Sequence, residues 1–219
     1  MKRKAIFGGT FDPIHNGHLH IAYEALNFLN LDKLIFMPSG NPPHKLKLDK
    51  TDAFIRCELI RMAIRGEKLF EVSDYEINRK EINYTYKTLE HFSSLEPDTE
   101  WYFITGVDCL MELDSWRNVE RILNSSRFVV FNRPGYEKDE ILKQKIRVEK
   151  LYNKEIIFMD LPLLDISSSV IKKKIQKGNN VSYLMPQGVY NTVLELGLYK
   201  QEGISVNVEW RTNWGVFKE

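Results

Sequence analysis

The stretch "IFGGTFDPIHNGHLHIA", residues 6–22, places three histidines within six residues at the predicted junction of a strand and a helix. Gly8 and Gly9 follow the apolar run directly, and residues without side chains let a ligand phosphate approach the backbone. The helix that begins near residues 15–18 presents unpaired N–H groups and the positive end of its dipole. A structural turn needs only a glycine or a proline, so the added histidines predict a phosphate-binding site.

Two of the three histidines are spaced to act together. His15 and His18 lie one helical turn apart, which puts both imidazoles on one face at the start of the helix. Two donors there suit a phosphate that gains negative charge in a transition state, whereas His20 is interpreted as a surface residue. A zinc site is the alternative for such a pair, but no E-x-x-H element or cysteine cluster supplies the remaining ligands. The loop matches neither a Walker motif nor G-x-G-x-x-G, so a hydride-transfer cofactor gains little support.

The rest of the chain alternates short apolar runs with amphipathic helical stretches. Strands are predicted over 4–7, 34–37, 70–77, 101–106, 127–135 and 155–161, and helices after residue 15, after a cap at Thr51, and over 84–95, 137–152, 167–176 and 186–196. This alternation predicts an α/β fold, a Rossmann-like doubly wound parallel sheet with helices on both faces. In such sheets ligands bind beyond the carboxyl ends of the strands, at the switch point.

Composition narrows the class of protein further. The chain has 219 residues and a formal net charge of +1, so no global field indicates a nucleic acid or an anionic membrane as partner. Cys57 and Cys109 lie in predicted helices and are interpreted as reduced packing residues. Because the chain shows neither a signal-peptide core nor an apolar run of about 18 residues, the expected compartment is the cytoplasm. A homo-oligomer is compatible with the sequence.

Two further segments offer groups for phosphates. The loop "PPHK", residues 42–45, puts Lys45 after the second strand, where it can hold an acceptor phosphate. "ISSSVIK", residues 166–172, begins a helix with three hydroxyls and carries Lys172 one turn later. Taken singly, Lys45 is equally consistent with a solvated lysine, and the serines with helix caps. Their shared position at strand ends and helix starts favours a common site.

Two other segments offer groups for the organic parts of a nucleotide. Tyr84 and Thr85 stand at a predicted helix start, which suits a small carboxylate. Gly106, Asp108 and Trp116 follow the strand 101–106, where an acid can bind ribose hydroxyls and an indole can stack on a flat ring. The alternatives are that Asp108 caps a helix and that Trp116 belongs to the core.

The motif "GGTFDPIHNGHL" resembles the signature of the nucleotidyltransferase superfamily that shares H-x-G-H with class I aminoacyl-tRNA synthetases. With the other segments, residues 4 to about 199 resemble the bacterial nicotinate-nucleotide adenylyltransferase family. The family pattern I-S-S-T-x-I-R departs here at Ser169 and Lys172, so a bidentate arginine contact with phosphate is lost. The resemblance implies catalytic roles for His15, His18 and Lys172, ATP contacts for Gly8, Gly9, Thr10, Phe11, Gly106, Asp108, Ser167 and Ser168, and acceptor contacts for Lys45, Tyr84, Thr85, Trp116 and Arg133.

The resemblance also implies a reaction. ATP and nicotinate mononucleotide would give nicotinate adenine dinucleotide and pyrophosphate, with Mg²⁺ carried on the ATP and no metal held by the protein itself. Pantetheine-phosphate adenylyl transfer and a non-catalytic pyridine-nucleotide sensor are the alternatives. Residues 1–200 are predicted to form one nucleotidyltransferase domain, and residues 201–219 a C-terminal tail without an assigned role. The preference between the acid and amide nucleotides, and closure of the 40–50 loop on substrate, stay open.

Overall fold

The computed structural model describes residues 1–41, 50–132, 135–162 and 164–200. Its sheet has six parallel strands, β1 (Lys2–Gly9), β2 (Lys33–Pro38), β3 (Phe70–Val72), β4 (Thr99–Gly106), β5 (Arg127–Phe131) and β6 (Ile156–Met159). They are ordered β3-β2-β1-β4-β5-β6. The chain therefore winds outward from β1 through β2 to β3, then returns to β4 and winds the other way. The switch point lies between β1 and β4, where a ligand is expected.

Helices cover both faces of this sheet. They are α1 (Asn16–Leu29), α2 (Ala53–Ala63), α3 (Thr85–Leu95), α4 (Val107–Met111), α5 (Val119–Ser125), α6 (Lys138–Tyr152), α7 (Ser168–Gln176) and α8 (Gln187–Glu195), with 3₁₀ turns at Leu113–Ser115 and Ser182–Leu184. Helices α1, α2, α7 and α8 pack on one core, and α3 to α6 on the other. Residues alternate along β1, since Ala5 and Phe7 enter the first core and Ile6 the second. The predicted fold class is confirmed.

One predicted strand is wrong over most of its length. The stretch 70–77 forms a strand only to Val72, after which local hydrogen bonds replace the ladder. Ser73 Oγ accepts the N–H of Tyr75 at 3.2 Å, and the carbonyl of Asp74 accepts the N–H of Asn78 at 3.0 Å. Short polar side chains that bond to nearby backbone favour turns over strands, which explains the error.

Other boundaries shift by a few residues. Helix α2 is capped by Asp52 rather than by Thr51, because Asp52 Oδ1 accepts the N–H of Phe54 at 2.9 Å. Strand β5 ends at Phe131 instead of 135. All the elements above lie within the predicted domain 1–200, and residues 201–219 lie outside the described part of the chain. No described helix has the length and apolar character needed to span a bilayer.

Candidate active site

Two connected cavities lie at the carboxyl ends of β1 and β4. The larger, of about 570 Å³, extends over the start of α1 toward α7; the smaller, of about 310 Å³, extends toward α3 and Trp116. We call them the large and the small cavity. Their shared wall consists of Gly8, Gly9, Thr10, Thr105, Asp108 and Cys109. Two ligands lying in the two cavities would therefore meet at the turn that follows β1.

The described candidate residues separate between these cavities. The large cavity is lined by Gly8, Gly9, Thr10, Phe11, His15, His18, Gly106, Asp108, Ser167, Ser168 and Lys172. The small cavity is lined by Tyr84, Thr85 and Trp116 besides the shared wall. The candidates Lys45 and Arg133 lie outside the described residues. His20, interpreted from the sequence as a surface residue, instead lines the large cavity, with its Nε2 2.7 Å from the carbonyl of Pro162.

The histidine pair is buried and stacked at the start of α1. His15 is the N-cap residue, its backbone N–H donates to His18 Nδ1 at 3.3 Å, and the two ring centroids are 3.6 Å apart. Because Nδ1 of His18 accepts this bond, Nε2 is the ring nitrogen that can carry a proton and donate. Gly17 permits the arrangement, since a Cβ there would come within 3.1 Å of the His15 ring. The pair therefore presents imidazole edges at a helix N-terminus.

The turn between β1 and α1 is shaped by Phe11. This residue has a left-handed backbone conformation (φ 50°), and its buried ring lies edge-on to His18 with centroids 4.9 Å apart. A side chain at Gly9 would come within 2.8 Å of the Phe11 ring. Gly9 and Phe11 therefore fix where the backbone N–H groups of the shared wall point.

Asp12 connects the first motif with Lys172. Its buried carboxylate accepts hydrogen bonds from Lys172 Nζ at 2.9 Å and from the Tyr199 hydroxyl at 2.8 Å. Burial opposes ionisation of Asp12, but hydrogen bonds from Thr51, Lys172 and Tyr199 outweigh it and hold the pKa of this carboxyl below its usual value. The ammonium of Lys172 is thereby placed at the wall of the large cavity. No local sequence pattern predicts this role of Asp12.

Arg56 joins the loops on both sides of the shared wall. This fully buried guanidinium on α2 donates to the carbonyls of Thr10 at 2.6 Å, Ser39 at 2.8 Å and Thr51 at 3.0 Å. Desolvation lowers the pKa of Arg56, yet guanidinium stays charged under any ordinary condition. Arg56 is not among the residues predicted from the sequence, although an arginine three residues before Leu59 on an apolar helix face is an available signal.

The small cavity combines an aromatic floor with a polar wall. Trp116 is half-buried and lies edge-on to Phe103 and Phe128, with centroids 6.3 and 6.5 Å away, so it packs on the core and also lines the cavity. Tyr84 is the N-cap residue of α3, which directs the first N–H groups of this helix toward the same cavity. A flat ring and an anionic substituent would both find partners here.

The structure shows the local contacts of three further candidates. The N-cap of α4 is Gly106, so Asp108 does not cap that helix and instead lines both cavities. Ser167 does cap α7, because its Oγ accepts the N–H of Val170 at 3.2 Å. Ser168 Oγ donates to the carbonyl of Pro13 at 3.0 Å, which ties α7 to the first motif. Both serines line the large cavity while holding these bonds.

Glu76 is a titratable group that is not among the residues predicted from the sequence. It lines the small cavity, and its carboxylate accepts from Thr88 Oγ1 at 2.8 Å and from the N–H of Gly40. Burial raises the pKa of Glu76 to about 7, since these two hydrogen bonds only partly offset the loss of hydration. Carboxyl groups with strongly raised pKa values cluster at functional sites in proteins, and this one lies beside the small cavity. Within the described ranges, no three His, Cys, Asp or Glu side chains are grouped to hold a metal ion.

Comparison with known proteins agrees with this geometry. Residues 6–174 match the family model described as cytidylyltransferase-like. Curated relatives named "Probable nicotinate-nucleotide adenylyltransferase" come from Clostridium novyi, at 58% identity, and Clostridium kluyveri, at 54%; each match covers 91% of this chain and all of the relative.

A solved structure of Plasmodium falciparum nicotinic acid mononucleotide adenylyltransferase complexed with NaAD shares the fold. The TM-score is 0.74 at 21% identity, over 91% of this chain and 98% of that one. The resemblance inferred from the sequence is confirmed. The chain belongs to the cytidylyltransferase-like family and, within it, to the nicotinate-nucleotide adenylyltransferases.

Proposed function

We propose that this protein joins ATP and nicotinate mononucleotide to give nicotinate adenine dinucleotide and pyrophosphate, a step of NAD biosynthesis. The observation that carries the proposal is the shared wall of the two cavities, which includes Gly8 to Thr10. On one side lie the histidine pair and Lys172, which suit phosphates. On the other lie Trp116 and the start of α3, which suit an aromatic ring bearing a carboxylate.

The proposed chemistry is in-line transfer of the adenylyl group of ATP. An oxygen of the acceptor 5′-phosphate attacks the α-phosphorus of ATP, a new P–O–P bond forms, and the bond to pyrophosphate breaks. A phosphate monoester has a second pKa of about 6 and is mostly dianionic at neutral pH, so no general base is required. The role of the protein is to align the two phosphates across the shared wall. His15, His18 and Lys172 would stabilise the charge that develops on the phosphate oxygens.

We further propose that Mg²⁺ is bound by the triphosphate of ATP rather than by a cluster of protein carboxylates. The carboxylate oxygens of Asp12 are already bonded to Lys172 and Tyr199, and only Asp108 adds a carboxylate to the shared wall. This donor set fits a metal held mainly by the triphosphate. When bound, the ion would neutralise charge on the departing pyrophosphate. The proposal requires no nucleic acid or membrane partner, and the cytoplasm stays the expected compartment.

Pyrophosphate release tests the proposal directly. The purified chain is assayed with ATP and Mg²⁺ and with nicotinate mononucleotide, nicotinamide mononucleotide or phosphopantetheine as acceptor. We expect strong turnover with the nicotinate compound. Turnover with phosphopantetheine alone would show that nicotinate mononucleotide is not the acceptor, since that flexible chain has no flat ring to contact Trp116. Tight binding of a pyridine nucleotide without any turnover would favour the sensor instead.

A further inference from the structure

The described lining of the small cavity contains more acidic than basic side chains. Among its described lining residues, Glu76, Asp108 and Glu112 carry carboxyl groups, and Arg117 is the only lysine or arginine. A mononucleotide with a ring carboxylate brings negative charge at both ends. Such a ligand would be repelled by acidic walls unless a cation compensated them. Arg117, an exposed residue of the cavity lining, is the described cation that can do so.

The guanidinium of Arg117 is oriented by an aromatic ring and forms no ion pair within the described residues. Its guanidinium lies over the ring of Tyr84, with the carbon atom Cζ 5.1 Å from the ring centroid, and Nη1 is 3.3 Å from the Tyr84 hydroxyl. A cation–π contact orients guanidinium while leaving its charge and most N–H donors available. Within the described part of the chain, no acidic side chain forms an ion pair with it.

The two ends of the small cavity have different neighbours. Gly8, Gly9 and Thr10 belong to both cavities, whereas Tyr84 and Arg117 line the small one alone. The 5′-phosphate of an acceptor must reach the shared wall to attack ATP. With the phosphate there, the ring of an acceptor in the small cavity would lie toward Trp116, and its substituent toward Tyr84 and Arg117.

We propose that Arg117 is a specificity-determining residue that selects the acid form of the pyridine nucleotide over the amide form. Its guanidinium, which forms no ion pair within the described residues, attracts the ring carboxylate, and its N–H donors can bond to the carboxylate oxygens. A neutral carboxamide gains much less from the same cation. This inference rests on the proposed function, because it assumes that the small cavity holds the acceptor.

Arg121 supplies a matched control. It lies one turn later on α5, and its guanidinium is 4.4 Å from the ring centroid of Tyr86, a similar cation–π contact. Unlike Arg117, it is paired with both carboxylate oxygens of Glu90 at 2.6 Å and does not line the small cavity. Substitution of Arg121 therefore removes the same kind of side chain and ring contact without removing charge from the cavity.

The test compares Arg117→Gln, Arg117→Lys and Arg121→Gln with the unmodified chain. For each, kcat/KM is measured with the acid and amide mononucleotides, and thermal unfolding verifies the fold. We expect Arg117→Gln to lower the acid-to-amide ratio about tenfold, as loss of a partly solvated charge-assisted contact should. Arg117→Lys should keep most of the preference, and Arg121→Gln should leave the ratio unchanged.

Direct binding separates this inference from the proposed function. Calorimetric titration with nicotinate mononucleotide needs no turnover. If the unmodified chain binds it without turnover and Arg117→Gln binds about tenfold more weakly, the inference stands while the function fails. If the folded Arg117→Gln variant keeps the acid-to-amide ratio within about twofold, the inference is overturned and the function stands. A chain that neither binds nor converts the mononucleotide overturns both.

Discussion

In the histidine pair, the ring of His18 serves both the fold and the site. Its Nδ1 accepts the N–H of His15, and its faces contact the rings of His15 and Phe11. The proposed role in charge stabilisation belongs to the opposite ring nitrogen, Nε2. A substitution that keeps an acceptor near Nδ1 but leaves nothing at Nε2 therefore separates the two roles.

We expect His18→Ala to lower kcat by about 10²–10³, the usual loss for a donor aimed at developing charge. His18→Asn should lower kcat as much, because its amide cannot reach the Nε2 position. It should also unfold at a higher urea concentration than His18→Ala, since its oxygen can accept the His15 N–H. Pyrophosphate release at saturating substrates and urea unfolding measure the two effects. A kcat within a few-fold of the unmodified chain for both variants would remove His18 from the chemistry.

Individual residues of the site were predictable where the sequence itself places them together. His15 and His18 share a helix face, so their spacing alone brought them to one site. Asp12 could not be assigned this way, because its partners Lys172 and Tyr199 are 160 and 187 residues away along the chain. Such contacts depend on how α7 and the segment after α8 pack on the sheet, which no local pattern contains.

At the scale of elements, the turn at residues 75–78 explains both a failed prediction and a missed group. The apolar alternation of 70–77 favoured a continuous strand, but only Phe70–Val72 pairs with β2. The turn then brings Glu76 against the N–H of Gly40 and the Thr88 hydroxyl of α3. Glu76 thus joins the end of β2 to α3 at the small cavity, a role that a strand in its place could not supply.

Glu76 should make stability fall as the pH rises. Its pKa is about 7 in the folded chain, above the ordinary 4.5, so the folded state holds a proton that the unfolded state releases. The free energy of unfolding should therefore decline between about pH 4.5 and 7, by at most about 3 kcal/mol, and level off above. Glu76→Gln keeps an acceptor for both hydrogen bonds and should flatten that decline. Urea unfolding across pH 5 to 8.5, at intervals of about half a unit, measures the slopes.

The matched control for that experiment is Glu71→Gln in β3. Glu71 is exposed and forms an ion pair with Lys33, so its removal should cost little and leave the slope in place. The free energy of unfolding of Glu76→Gln is plotted against pH beside that of the unmodified chain. Equal slopes across this range would show that Glu76 ionises normally.

At the scale of the whole molecule, the alternation of strands and helices predicted the parallel sheet and its two helical layers. The reason is that buried parallel strands and amphipathic helices have different apolar periods, which a sequence displays directly. The order of the strands was not predicted, because it depends on which strands pair after the crossovers. The doubly wound order brings the ends of β1 and β4 together and so creates the shared wall.

Tyr199, near the end of the described chain, is joined to the lining of the large cavity through Asp12 and Lys172. Tyr199 donates its hydroxyl proton to Asp12, and the ammonium of Lys172 lies 5.6 Å from the centroid of its ring. Burial, together with the negative charge of Asp12, raises the pKa of Tyr199, so the hydroxyl stays a donor. A chain cut before Tyr199 therefore loses a partner of the Asp12–Lys172 pair, and one cut after Lys200 does not.

Two shortened chains test whether residues 201–219 belong to the nucleotidyltransferase domain. A chain ending at Lys200 keeps every described element and the Tyr199 bond, so its kcat/KM should stay within about twofold of the full chain and its free energy of unfolding within about 0.5 kcal/mol. The free energy of unfolding of a chain ending at Leu198 should be lower by about 1–3 kcal/mol, because the buried Asp12 carboxylate loses a hydrogen bond. Its KM for ATP should rise, because Lys172 would shift with Asp12. Tyr199→Phe in the full chain should reproduce that loss in part. If the chain ending at Lys200 were inactive or unfolded, the division at residue 200 would be wrong, and the tail would belong to the catalytic unit.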